Sequence, residues 1–165
     1  MGHRALVAVE DADGRYSCYR SQWGGLAAFG SVPPPAVVAE ATDQSPLARG
    51  LDAAGVLESI DRRSDEALFV DAVAGGVRTY LVCRLGVPTA RGDPCGVGPT
   101  ALVPVTDPAT AREIECVNRT LSAVLGDAVD AGLVTAEAAV AYLGTAMAGH
   151  PDVTGETLWL PPPSE

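Results

Sequence analysis

The chain has 165 residues, 21 of them acidic and 11 basic, for a formal charge of −10, and every basic residue is an arginine. At this length one core can bury roughly two thirds of the unfolded surface, so a single domain over 1–165 is expected. The charge balance lacks the basic stripe that tracks a phosphate backbone, and no apolar run approaches the roughly 20 residues that span a bilayer, which sets aside nucleic acid and membrane as partners.

Met1-Gly2-His3-Arg4 leads straight into an apolar segment without the long hydrophobic stretch of a signal peptide, and Leu6 stands where a myristoylation signal needs Ser or Thr. A cytoplasmic protein is the expectation, and in that compartment Cys18, Cys83, Cys95 and Cys116 read as thiols rather than as a disulfide framework. His3 beside a free amine has the donors of a square-planar copper or nickel chelate. Gly2, however, favours removal of Met1, which would shift His3 out of the chelating position.

Arg4 to Glu10 is apolar, Asp11-Ala12-Asp13-Gly14 supplies turn chemistry, and Arg15 to Arg20 resumes with alternating aromatic and polar residues. This is a hairpin pattern. With those four residues as the loop, Glu10 pairs with Arg15, and Val7, Val9, Tyr16 and Cys18 share one face. Residues 31–50, rich in proline and small residues, read as a long loop, followed by a short helix around Asp52 to Ile60.

Ala67 to Ala74 and Val77 to Leu85 flank Gly75-Gly76, which reads as a second hairpin closed by a two-residue turn. That register puts Leu68, Val70 and Ala72 on one face with Val77, Thr79, Leu81 and Cys83, and leaves Arg78, Tyr80 and Arg84 on the other. Gly86 to Thr100 reads as a loop, and its Arg91-Gly92-Asp93 as a turn. Ala101 to Val105 forms a fifth strand, which Pro104 should confine to an edge or a bulge because it lacks an N–H.

The last third is helical. Asp107 caps, Pro108 suits the first helical position, and Ile114, Val117, Leu121, Val124 and Ala128 keep helical spacing to about Asp130. Thr135 caps a second helix that runs to Ala148 and ends at Gly149-His150-Pro151. Its surface is nearly apolar all round, so either the core or a second subunit must cover it. The fold class is therefore α+β: a mostly antiparallel sheet of about five strands, two hairpins plus an edge strand, packed by a C-terminal helix pair. The sheet-forming part is 1–106, the helical part 107–150, and 151–165 a short proline-rich tail.

Met1-Gly2-His3-Arg4-Ala5-Leu6-Val7-Ala8, Asp13-Gly14-Arg15-Tyr16 and Ser21-Gln22-Trp23-Gly24 resemble an uncharacterised family of small haloarchaeal proteins. Glu66-Ala67-Leu68-Phe69-Val70 and Tyr80-Leu81-Val82 are similar to the middle segment of that family. The resemblance covers the first half of the chain and implies a salt-loving source and a general shape, with no activity and no functional residue to carry over. In molar salt the Debye length falls to about 3 Å, so an acidic surface there serves hydration and solubility more than steering.

Short metal-ligand pairs such as C-x-x-C are absent, so no structural zinc, other metal or cofactor is expected. A thiolate nucleophile would need a histidine base, and only His3 and His150 exist; Cys18 reads as a small buried hydrophobe. The strand, Asp-Gly turn, strand opening is superficially similar to the start of the N-terminal-nucleophile hydrolases, but Gly2 has no nucleophile. Asn118-Arg119-Thr120 lies in mid-helix and is discounted as a glycosylation acceptor.

The remaining candidate is the Arg78, Tyr80 and Arg84 face with Arg20 nearby, where planar guanidinium forks and a phenol suit a carboxylate or phosphate. Trp23 offers an alternative aromatic wall. Two functions follow. One is a non-enzymatic ligand- or protein-binding, regulatory domain, a homodimer through helix 136–148, with a small anionic ligand. The other is a small enzyme that positions an anionic metabolite with the same arginines and uses a thiol or carboxylate.

Overall fold

A computed structural model of the protein describes residues 4–22, 32–90 and 98–160. Among them, strands β1 (Arg4–Glu10), β2 (Tyr16–Ser21), β3 (Ala48–Leu51), β4 (Asp65–Ala72), β5 (Gly76–Arg84), β6 (Thr100–Val105) and β7 (Leu158–Leu160) form one sheet. Their order is β3-β2-β1-β4-β5-β6-β7. The helices are α1 (Pro34–Thr42), α2 (Ala53–Glu58), α3 (Pro108–Asp130) and α4 (Ala136–Ala148). The class is α+β, with seven strands rather than about five. The additional strands are the short edges β3 and β7, too brief for a hydrophobic alternation to announce them.

All strand pairs are antiparallel except β1 with β4, which run parallel and join the two hairpins at the centre of the sheet. A parallel pair requires a crossover connection, which runs from β3 through α2 to β4, while the region expected to be loop carries α1 between the antiparallel strands β2 and β3. Pro33 and Pro34 explain the difference: α1 starts on them, with Pro33 as N-cap. Proline costs nothing in a first helical turn, where the N–H groups lack partners anyway.

Both hairpin registers differ from the sequence expectation. Glu10 pairs with Tyr16 instead of Arg15, a slip of one residue, because Gly14 takes a left-handed φ of 76° and lengthens the loop to Asp11–Arg15. Val77 pairs with Asp71 instead of Ala74, a slip of three, because Gly76 alone adopts positive φ and already opposes Ala72. An odd slip exchanges the faces. Val7, Val9 and Tyr19 therefore pack with Phe69 and Leu81, while Tyr16 and Cys18 pack with Leu6, Leu68 and Tyr80.

Pro104 obeys its restriction locally. β6 is an inner strand, but β7 covers only Thr100, Ala101 and Leu102, so Pro104 stands where no neighbour needs its N–H. The helix starts agree with the sequence. Asp107 accepts hydrogen bonds from the N–H groups of Ala109 and Thr110, Thr135 from Ala138, and Asp52 from Gly55.

The first face of the sheet carries α1, α3 and α4, whose Val38, Ile114, Leu143 and Met147 complete one core with Val7 and Phe69. Among the described residues, only α2 and its flanks serve the second face, through Val56 and Ile60 against Leu6, Leu68 and Leu102. A six-residue helix is roughly 9 Å long, whereas seven strands span roughly 29 Å. Among the described residues, part of an apolar sheet face is thus left uncovered.

Candidate functional site

That opening is a cleft of about 590 Å³ at the end of the sheet where both hairpins turn. Its floor follows from the ladder. Leu68 pairs with Tyr80, Tyr80 with Pro104, and Val70 with Arg78, so all five side chains point to the second face. Val56 and Leu57 of α2 form one wall, Tyr16 another, and Thr154, Glu156 and Leu158 close the far side. A volume in this range, apolar with a few convergent polar groups, is typical of small-molecule sites.

Arg78 is exposed, and its guanidinium has neither ion-pair nor hydrogen-bond partner among the described residues. Tyr80, half-buried, sits one ladder step deeper. Arg78 and Glu156 are the charged groups lining the cleft among the described residues; the other polar groups are hydroxyls, including those of Tyr16, Tyr80 and Thr154.

Arg84 and Arg20 do not join this site. Six residues along a strand place Arg84 roughly 20 Å from Arg78, and its guanidinium donates to the carbonyls of Arg62 and Arg63 at 2.6 and 2.8 Å. It lines a separate cavity of about 170 Å³ with Glu66, Glu115 and Asn118. Arg20 donates to the fully buried Asp65 at 3.3 Å. Burial pushes the Asp65 carboxyl above the usual carboxylate range, while the Asp61 N–H and Arg20 pull it down. Arg20 is thus committed to a buried carboxylate, a partner that strand alternation cannot reveal. Trp23 lies outside the described residues.

Cys18 and Cys83 are buried, and burial pushes their thiols up to about 11 and about 12. Thiolate, the nucleophilic form, is disfavoured at both. Cys116 is exposed; Cys95 and His3 lie outside the described residues.

The lining residues missed by sequence reading include Tyr16, which the slipped register moved, and Val56, Leu57, Thr154, Glu156 and Leu158. Asp52 before a short helix was a readable signal for α2. Nothing in the proline-rich tail announced that it folds back as β7.

In comparisons with known proteins, a family of unknown function matches residues 35–159, a span from α1 to β7 that contains Arg78, Tyr80 and α2 and omits the β1–β2 hairpin. No curated protein and no solved structure matches the chain.

Proposed function

The chain belongs to DUF6735, a family of unknown function, so its activity has to be read from its own surfaces, and we propose that the cleft binds a small ligand with an apolar body and one anionic group. The observation that carries this reading is a guanidinium, Arg78, without a partner among the described residues, beside a half-buried phenol, Tyr80, at an apolar cleft. Val70, Leu57 and Leu68 would hold the apolar body, and Arg78 would grip the oxyanion with its planar fork.

The reading is of a binding, regulatory domain rather than an enzyme. Burial of Cys18 and Cys83 as protonated thiols supports it over a mechanism that uses either as nucleophile. The lysine-free, acidic composition supports a salt-loving source. The outer face of α4, with Tyr142 59 % exposed among alanines, supports self-association through that helix.

Calorimetry with sodium octanoate against 1-octanol tests the site. Wild type is expected to bind octanoate more tightly than the alcohol, and Arg78→Ala to weaken octanoate tenfold or more while leaving the alcohol unchanged, since a hydrogen bond to a charged group contributes about 1.5–3 kcal/mol. Equal binding of acid and alcohol, or an Arg78→Ala variant that still discriminates, would sink the proposal.

A further inference from the structure

Among the described residues, Glu113, His150 and Asp152 each bring one donor atom within 4.8 Å of the other two. Sequence spacing concealed this, because Glu113 comes from the second turn of α3 while His150 and Asp152 follow the end of α4. Gly149 ends that helix, and Pro151 holds the histidine and aspartate two residues apart. The Asp152 N–H donates to His150 Nδ1 at 3.4 Å, and Asp152 Oδ2 lies 3.9 Å from the same nitrogen.

The imidazole is held while its neighbours are free to move: the His150 side chain is 9 % exposed, that of Asp152 52 %, and Glu113 is exposed. The bond from Asp152 is the only hydrogen bond of the ring among the described residues, which leaves Nε2 without a protein partner. A nearly buried imidazole with donor atoms of two carboxylates within 4.8 Å has the composition of a metal-ligand set.

We propose that Glu113, His150 and Asp152 form a binding site for a divalent transition-metal ion of the zinc type. Ligand bonds of about 2.0–2.2 Å place tetrahedral donors roughly 3.5 Å apart, so the donors must close by about an ångström. The two exposed carboxylates can do so by a change of rotamer. Two carboxylates neutralise a dication, and the imidazole selects zinc-like ions over magnesium or calcium. Three protein ligands leave a fourth position for water. The ion would tie α3 to the segment after α4, so loading is read as stability and does not depend on ligand binding in the cleft.

The test uses the full chain stripped with EDTA, in about 1 M KCl, where diffuse attraction of cations to the acidic surface is screened. Titration with ZnCl2 is expected to show one saturable site and a raised melting midpoint. Glu113→Gln and Asp152→Asn, both at exposed positions, should each weaken zinc tenfold or more and abolish the melting shift, and His150→Gln should do the same. MgCl2 should produce neither effect. The proposal is overturned by absent or non-saturating zinc binding, by magnesium binding as tightly as zinc, or by binding that Cys116→Ser removes while Glu113→Gln leaves intact.

Discussion

Asp65 sits fully buried at the start of β4, with Arg20 of β2 reaching it from a side chain that remains 24 % exposed. Its carboxyl is held above the usual range because desolvation outweighs the Arg20 guanidinium and the Asp61 N–H. A carboxyl whose folded pKa exceeds its unfolded value of about 3.9 contributes its full stability below that pH, and loses it as pH rises through the folded value. Removing the cation deepens the loss. Arg20→Leu is expected to cost about 3 kcal/mol near pH 7, where the buried carboxylate lacks its counterion, and clearly less near pH 4. Urea unfolding at the two pH values measures this; an equal cost at both would assign the effect to the packed arginine stem. Neither Arg20 nor Arg78 could be sorted by type, since each lies in a strand and each is an arginine. Only the position of Asp65 across the sheet made Arg20 structural, while Arg78 has no partner among the described residues.

At the scale of elements, α2, α3 and α4 were legible, whereas α1, read as loop, and the strand registers were not. Asp107-Pro108 and Thr135 mark helix starts by local hydrogen bonding and need no tertiary information. The apolar stripe of α3 drifts, however: past Leu121 the packed residue is Leu125, and Val124 is 58 % exposed. This helix lies against the segment after β5, where Ser122 donates to the Gly86 carbonyl at 2.6 Å and the Asp130 carboxylate accepts from the Ala90 N–H at 2.8 Å. Gly126 is the point of closest approach, since a β-carbon there would run into the Pro88 carbonyl oxygen. Gly126→Ala should therefore destabilise by about 1–3 kcal/mol, although alanine is the better helix former by about 1 kcal/mol. Denaturant midpoints measure it, with Gly75→Ala as the comparison: a β-carbon there meets nothing within 4 Å.

At the scale of the molecule, among the described residues, three helices on one face and one short helix on the other create the cleft and leave the outer side of α4 uncovered. The inner side of α4 is accounted for by the core, through Ala139, Leu143, Gly144 and Met147. Its exposed Tyr142, Ala138 and Ala141 form the surface proposed for self-association. Light scattering at high KCl is expected to read twice the chain mass, and Tyr142→Glu to return it to a monomer. A monomeric wild type removes the dimer and leaves the cleft untouched.

Composition, caps and turn residues were enough to establish an acidic α+β chain with two hairpins and a C-terminal helix pair, because those features rest on local backbone chemistry. Register, strand order and the identity of the site were decided only by tertiary structure. β1 and β4 carry apolar residues on both faces, so their alternation favours no register, and one glycine at positive φ, Gly14 or Gly76, shifts a strand by an odd step and exchanges its faces. The Arg78–Tyr80 pair was visible in the sequence. That it overlooks an apolar cleft, while Arg84 and Arg20 are consumed elsewhere, depends on contacts between residues far apart in the chain, such as Arg20 with Asp65 and Arg84 with Arg62.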